Sequence, residues 1–242
     1  NPKNISNFLR KGSSVSSLIP SYPTKTFPNH YSIVTGLYPD NHGIVANHFH
    51  APDLKKDYSL RDRDAVTNKD FYNGRPIWNS ASNNGLLSAT LFWPGSEADI
   101  NGQFPDYYRV YDHGLSMKKR VDTIINWIKL PKKNRPHFMT MYYHHVDSAG
   151  HKYGPNSVEV KDAITSVDNS LGSLFQQIKQ TGLAINIVLV SDHGMTETSS
   201  KRVIYLSSLI QSKEEKELLK KFKVVQLYTF TINKSLKIRT LM

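Results

Sequence analysis

Cysteine is absent from the 242 residues, which excludes a disulfide scaffold, a cysteine–zinc site, an iron–sulfur cluster and thiol catalysis. No apolar run reaches the ~18 residues that a membrane-spanning helix needs, so the sequence predicts no transmembrane segment. The hydrophobic fraction of 38% and the aromatic fraction of 11% are ordinary for a globular protein and exclude disordered and fibrous classes. At ~100–200 residues per domain, we interpret residues 1–242 as a single domain.

The net charge of +11 is concentrated at one end of the chain. Residues 201–242 hold ten Lys/Arg and three Glu, a net charge of +7, which leaves +4 for the first 200 residues. The run from Lys213 to Lys223 is typical of a solvated helix. The charge is therefore weak support for a nucleic-acid-binding module, and we expect no specific nucleic-acid partner.

Hydrophobic periodicity alternates between short strand-like runs and longer helical patterns. Strands are predicted over 86–92, 138–143 and 185–190, and helices over 117–128 and 160–178. Strand, helix and strand in that order imply a right-handed crossover between parallel strands. The sequence therefore predicts an α/β fold with a mostly parallel central sheet and helices on both faces.

Two segments lack a clear pattern. Residues 48–75 are polar and are interpreted as a surface excursion beside the site. Residues 207–242 form a basic tail of ambiguous structure, in which only 224–232 is strand-like.

Carboxylates and imidazoles follow two of the predicted strands, where ligand sites of α/β sheets lie. Asp147 and His151 follow the strand 138–143, on what the pattern predicts to be a tight loop. Asp192 and His193 end the strand 185–190. Either pair alone is most often structural, but the two together at strand ends favour a site for zinc or a similar divalent ion.

His144 and His145 also lie at a predicted strand end. Strand alternation predicts that one points inward and the other outward, as a wall residue and a surface residue.

Thr26 is a candidate nucleophile. Residues 26–35 are predicted to form a helix with Thr26 as N-cap, Pro28 in the first turn and Gly36 after the end. Thr26 could simply cap this helix. In the functional interpretation, the helix N-terminus offers free N–H groups to a phosphate, and a divalent ion lowers the pKa of the threonine hydroxyl.

Six motifs in order resemble the nucleotide pyrophosphatase/phosphodiesterase family of the alkaline phosphatase superfamily. They cover roughly residues 5–206 and comprise the run from Thr26 to Ile44, Asn47 in Gly-Ile-Val-Ala-Asn, Phe92-Trp-Pro-Gly-Ser96, Asn101-Gly-Gln-Phe-Pro-Asp106, Asp147-Ser-Ala-Gly-His-Lys-Tyr-Gly-Pro155 and Ser191-Asp-His-Gly-Met195.

The resemblance implies an alkaline-phosphatase-like fold and a two-zinc phosphodiesterase that acts through a phosphothreonine at Thr26. Asp192, His193 and the Thr26 oxygen would bind one zinc ion, and Asp147 and His151 the other. Asn47 corresponds to the residue whose amide donates to a phosphate oxygen.

By the same resemblance, Phe27 and Tyr111 fall at the positions that stack on the nucleotide base. A nucleotide substrate is therefore favoured, although relatives that cleave choline phospholipids share the metal motifs. The bland alternative is that Phe27 is a packed residue at the helix start and Tyr111 a core tyrosine.

The chain departs from the family pattern at two expected zinc ligands. No Asp precedes Thr26, and no His follows His193. We therefore expect the central part of a longer protein, truncated at both ends, which binds zinc weakly when isolated. The resemblance also implies an exported protein, whereas the oligomeric state is left open.

Three other functions stay open beside nucleotide hydrolysis. A phospholipid-headgroup diesterase or a phosphomonoesterase of the same superfamily would share the metal motifs. An inactive binding relative is the third, and the intact internal ligands argue against it.

Overall fold

The computed structural model describes residues 2–203, Leu209 and residues 212–215. Two compact units divide the chain, Asn1–Met195 and Thr196–Met242, where a single domain was expected. In the second unit, the structure shows a short 3-10 helix over Ser200–Arg202. The predicted strand 224–232 and most of the basic tail 207–242 lie outside the described residues.

The first unit contains eight α-helices and five strands within its described part. The helices are α1 Lys3–Lys11, α2 Thr26–Thr35, α3 Pro39–His42, α4 Arg63–Thr67, α5 Ile77–Asn83, α6 Met117–Ile128, α7 His145–Tyr153 and α8 Val158–Gln180; the strands are β1 His48–Ala51, β2 Lys56–Ser59, β3 Ser88–Leu91, β4 Tyr107–Arg109 and β5 Phe138–Met141. No helix of the described residues has the length and hydropathy of a membrane span.

A parallel sheet in the order β4-β3-β5 lies at the centre of this unit. Thr90 of β3 is opposite Tyr108 of β4 and Thr140 of β5. All four residues of β3 are buried, as expected for a central strand covered on both faces. The parallel sheet with intervening helices confirms the predicted α/β class.

The polar segment 48–75 has regular secondary structure. It forms the antiparallel hairpin β1–β2, the helix α4 and a 3-10 helix, and it contributes large buried side chains to the core. The sequence pattern did not identify Tyr58, Phe71 and Tyr72 as core residues, because their spacing follows neither strand nor helix periodicity. These rings join a first core with Tyr31, Ile44, Trp78 and others.

Three tyrosine hydroxyls of this first core are paired inside the protein. Tyr72 donates to the carbonyl oxygen of Val66 at 2.9 Å, so Tyr58 donates to the Tyr72 oxygen at 2.8 Å. Tyr31 donates to the carbonyl oxygen of Asn73 at 3.0 Å. Burial raises the pKa of all three phenols above the ordinary value of 10.

The second core lies between β3, α6 and α8. Its buried side chains are Leu91, Phe92, Val121, Ile124, Ile125, Ile128, Leu171, Leu174 and Ile178. Ser116 and Ser157 cap α6 and α8 by accepting N–H groups of the first turns. Both helices occupy the predicted ranges, because their apolar residues recur at helical spacing.

The predicted strand 185–190 is absent from the described structure. Ile185 and Ile187 pack against the second core and alternate with exposed residues, as in a strand. However, this segment pairs with no strand of the described part of the chain. An apolar run becomes a strand only when a neighbour accepts its hydrogen bonds, and periodicity does not reveal that neighbour.

Asp168 of α8 caps the start of α1. Its carboxylate accepts the backbone N–H groups of Asn4 at 3.1 Å and Ile5 at 2.8 Å, and the Asn4 side-chain amide at 2.9 Å. Burial raises the pKa of Asp168, but these donors favour the charged form more strongly, so the pKa is lowered. The stabilisation is therefore present above the ordinary pKa of about 3.9 and is lost as pH falls through the lowered folded value.

Asp168→Ala is expected to lower the free energy of unfolding by about 1–3 kcal/mol near pH 7, because two first-turn N–H groups lose their acceptor. Urea unfolding of the 242-residue chain measures the loss, which should shrink below about pH 3.9 as the wild-type carboxylate is protonated. Asp162→Ala, at an exposed position of the same helix, is the control. Equal losses for the two variants would contradict the capping role.

Candidate active site

The sequence predicted Thr26 as the N-cap of α2, but Thr26 is the first residue of this helix. Lys25 takes the cap position, with extended backbone angles of φ −136° and ψ 157°, and no side chain caps the helix. The Thr26 hydroxyl is therefore not used for capping. Its Oγ1 atom lies 3.4 Å from Nε2 of His193.

The first turn of α2 has fewer free N–H groups than the sequence suggested. The N–H of Phe27 donates to Oδ1 of Asn47 at 3.0 Å, and Pro28 has no N–H. Only the Thr26 N–H is left without a partner among the described first-turn groups. The contact also fixes the Asn47 amide, because its oxygen must face Phe27 and its NH₂ group is turned to another side.

Asp192 and His193 lie beside Thr26. Oδ2 of Asp192 is 3.2 Å from Nε2 of His193 and 3.3 Å from Nδ1 of His30. Nδ1 of His193 lies 2.9 Å from the carbonyl oxygen of Gly194, which can only accept a hydrogen bond. Nε2 of His193 thus contacts both the Thr26 hydroxyl and one oxygen of the Asp192 carboxylate.

The Asp192 carboxyl is ionised in this position. Burial raises its pKa, but the hydrogen bond from His30 and the charges of His30 and His193 outweigh that effect, and the pKa is lowered. The site therefore presents a negative charge beside His193, the residue that contacts the candidate nucleophile.

Asp147 and His151 lie on α7, not on the predicted tight loop. The helix begins at His145, and Asp147 lies in its first turn, where the helix dipole stabilises a negative charge. A spacing of four residues puts both side chains on one face, with His151 Nε2 3.5 Å from Asp147 Oδ1. His151 is 74% exposed, and Asp147 Oδ1 is buried without a hydrogen-bond donor in the described structure.

The pairs Asp147/His151 and Asp192/His193 have the side-chain types that bind a divalent cation, but each pair supplies too few ligands. Imidazole and carboxylate are zinc ligands, and the unpartnered oxygen of Asp147 is the kind of atom that a cation would satisfy. Within the described residues, no group of three or more His, Cys, Asp or Glu side chains is arranged to hold a metal ion. Each pair thus offers two protein ligands, whereas a catalytic zinc ion usually takes three.

The rings of Phe27 and Tyr111 lie on different cores. Phe27 packs against the first core, with its centroid 6.1 Å from that of Tyr58. Tyr111 is 39% exposed and lies edge-on to Phe92 at 5.3 Å. Each ring is thus anchored on one side, and base stacking between them stays a prediction.

Strand alternation predicted that His144 and His145 point to opposite sides, but they do not. They follow the end of β5 and enter α7, so the alternation does not apply, and their rings stack at 4.2 Å. His113 stacks on His144 at 3.8 Å. Burial, then the neighbouring imidazoles, lowers the pKa of His144 to about 3, so the His144 ring is uncharged near pH 7.

Tyr111 is held in place by residues that the sequence did not single out. Its hydroxyl lies 3.1 Å from Nδ1 of His113, and its N–H donates to Oε1 of the buried Glu97 at 3.2 Å. Arg63 of α4 holds the Glu97 carboxylate with both terminal nitrogens, at 3.3 and 2.5 Å. The segment 48–75, which contains Arg63, therefore helps to position Tyr111.

Arg120 of α6 is fully buried, and its hydrogen bonds in the described structure go to backbone carbonyls. Its guanidinium donates to Leu115 at 2.9 Å, to Asp112 at 3.4 Å and to Tyr142 at 2.8 Å. It thereby ties the loop after Tyr111 to the end of β5. No local sequence pattern distinguishes it from the exposed basic residues of α6.

Comparisons with known proteins give one consistent match. A family model described as type I phosphodiesterase / nucleotide pyrophosphatase matches residues 2–236. Human ectonucleotide pyrophosphatase/phosphodiesterase family member 1 is 45% identical over 208 residues, which are 85% of this chain and 22% of the human protein. The chain therefore spans less than a quarter of that relative.

Two solved structures are similar over most of this chain. Murine ectonucleotide pyrophosphatase / phosphodiesterase 5 gives a TM-score of 0.79 at 35% identity and covers 88% of this chain and 57% of the murine one. An inactive threonine-to-alanine variant of that protein, in complex with AMP, gives a TM-score of 0.74 at 36% identity and covers 83% and 53%.

Proposed function

The chain belongs to the type I phosphodiesterase / nucleotide pyrophosphatase family, and from this premise we propose that it carries the catalytic site of a metal-dependent hydrolase. The proposed substrates are phosphodiester and pyrophosphate bonds of nucleotides, and the product is a nucleoside 5′-monophosphate. The observation that carries the proposal is that Nε2 of His193 lies 3.4 Å from Oγ1 of Thr26, 167 residues away along the chain, and 3.2 Å from Oδ2 of Asp192.

In the proposed reaction, Thr26 Oγ1 attacks phosphorus, the leaving alcohol or phosphate departs, and water then cleaves the phosphothreonine. Asn47 donates from its amide to the phosphate oxygen on which charge develops. Asp192 and His193 would hold one zinc ion, and Asp147 and His151 a second. When bound, the ions would supply positive charge that favours a deprotonated nucleophile and stabilises the phosphoryl oxygens.

Nucleotides are the favoured substrates for two reasons. A murine relative is solved in complex with AMP as an inactive threonine-to-alanine variant, which supports both a threonine of catalytic importance and a nucleotide ligand. In this chain, Phe27 and Tyr111 are the aromatic candidates for stacking on the base. The related human and murine proteins are ectonucleotide pyrophosphatase/phosphodiesterases, from which we infer an exported protein.

Tyr111→Ala is expected to raise KM for p-nitrophenyl thymidine 5′-monophosphate by about 5- to 100-fold, because stacking on one base contributes about 1–3 kcal/mol. KM for bis(p-nitrophenyl) phosphate, which has no base, should change much less. Tyr111→Phe keeps the ring and is the matched control. A similar rise for both substrates would show that Tyr111 supports the site without stacking on the base.

The proposed function is tested by measuring zinc content and initial rates together on the 242-residue chain. We expect weakly bound zinc, slow hydrolysis of bis(p-nitrophenyl) phosphate, and loss of both on treatment with a chelator. Faster cleavage of p-nitrophenyl phosphate than of the diester would favour a phosphomonoesterase, and preference for glycerophosphocholine or p-nitrophenyl phosphorylcholine a headgroup diesterase. Bound zinc without turnover of any of these substrates would indicate an inactive binding relative.

A further inference from the structure

His30 is a buried histidine of α2 that the proposed reaction does not use. We propose that His30 is a positioning residue, whose ring N–H orients the Asp192 carboxylate toward His193 so that the carboxylate, His193 and the Thr26 hydroxyl share one cation. This inference rests on the proposed function and adds a residue to its site.

The ring of His30 has one fixed position. His30 is 4% exposed, and its ring lies edge-on to Trp93 at 4.9 Å and to Tyr142 at 5.1 Å. The Trp93 indole N–H donates to the His30 carbonyl oxygen at 3.0 Å, which fixes the backbone as well. A rotation of the ring would therefore displace two large aromatic side chains.

The contacts of Nδ1 identify it as the protonated ring nitrogen. It lies 2.8 Å from the carbonyl oxygen of Thr26 and 3.3 Å from Oδ2 of Asp192. Both partners can only accept a hydrogen bond, so the proton between them belongs to Nδ1. The His30 N–H thus contacts both the backbone carbonyl of Thr26 and the carboxylate of Asp192.

The His30 N–H contacts the same Asp192 oxygen that lies beside His193. The same Oδ2 atom that faces His30 lies 3.2 Å from Nε2 of His193. Asp192 is otherwise on a segment without strand pairing among the described residues, so the backbone alone does not fix its side chain. Hydrogen bonds to ligating carboxylates orient them, and removing such a partner typically lowers metal affinity 10–100-fold.

The test compares two substitutions that differ in the N–H. His30→Asn keeps a donor, because its Nδ2 leaves Cγ as Nδ1 does in histidine. His30→Leu has a similar volume and no donor. His50→Leu is a matched control, since His50 also pairs with an aspartate, Asp57 at 2.8 Å, but on the exposed hairpin. Zinc affinity is measured by competition with a chromophoric chelator, following the binding component that Asp192→Asn removes.

We expect His30→Leu to weaken that component about 10–100-fold, while His30→Asn stays within about threefold of the wild type and His50→Leu is unchanged. Wild-type affinity in His30→Leu would overturn the inference, and so would an equal loss in His30→Asn, which would assign the effect to ring packing. The proposed function and this inference can fail separately. Zinc binding without diester hydrolysis in the wild-type chain rejects the proposed function alone, and wild-type turnover with unchanged zinc affinity in His30→Leu rejects this inference alone. Absence of zinc binding in the wild-type chain rejects both.

Discussion

Thr26→Ala is expected to reduce diester hydrolysis by a factor of about 10³ or more, because the proposed reaction forms a bond to an oxygen atom that alanine lacks. The first turn of α2 should stay intact, since the Thr26 side chain does not cap the helix. The free energy of unfolding should therefore change by only about 0.5 kcal/mol.

Thr26→Ser is the matched control, because it keeps a hydroxyl at the same position. Initial rates with bis(p-nitrophenyl) phosphate, zinc content and unfolding curves would be measured on all three proteins. Mass spectrometry of acid-quenched wild type should detect a phosphoryl adduct on Thr26 that the alanine variant lacks. A fully active Thr26→Ala protein would exclude Thr26 as the nucleophile.

Trp78→Ala is expected to lower the free energy of unfolding by about 3–5 kcal/mol, a large part of the 5–15 kcal/mol typical of a domain. Trp78 is fully buried in the first core, and alanine would leave a cavity beneath α5. Urea unfolding followed by far-UV circular dichroism measures the loss.

Trp78→Phe isolates the cause of this loss. The indole Nε1 has no hydrogen-bond partner in the described structure, so phenylalanine removes volume without breaking a hydrogen bond. It should cost less than half of the loss in the alanine variant. Equal losses in both variants would contradict the cavity explanation.

The sequence predicted those elements whose own side chains encode them. α6 and α8 repeat apolar residues at helical spacing, and β3 and β5 are short apolar runs between turn residues. It failed where structure depends on a distant partner: residues 185–190 find no paired strand in the described part, and residues 48–75 hide Tyr58 and Tyr72 among charged neighbours. The family resemblance carried by the six motifs is confirmed by the match to residues 2–236.

The candidate site was predicted only in part for the same reason. Thr26, Asp192 and His193 do converge, although the sequence placed Thr26 one position too early in its helix. His30 had a signal that was overlooked, since it lies four residues after Thr26 and thus on the same face of α2. Glu97 and Arg120 had none, because their contacts, such as Glu97 with Arg63 and Arg120 with the Tyr142 carbonyl, follow no local sequence spacing.

The hydroxyl pairs of Tyr31, Tyr58 and Tyr72 set an alkaline limit to the fold. Burial raises the pKa of these phenols, whereas in the unfolded chain they ionise near pH 10. The folded protein therefore keeps protons that the unfolded chain releases, so the stabilisation is complete below about pH 10 and declines as pH rises beyond it. The core that supports α2 thus remains neutral throughout the mildly alkaline range in which a hydroxyl nucleophile is most easily deprotonated.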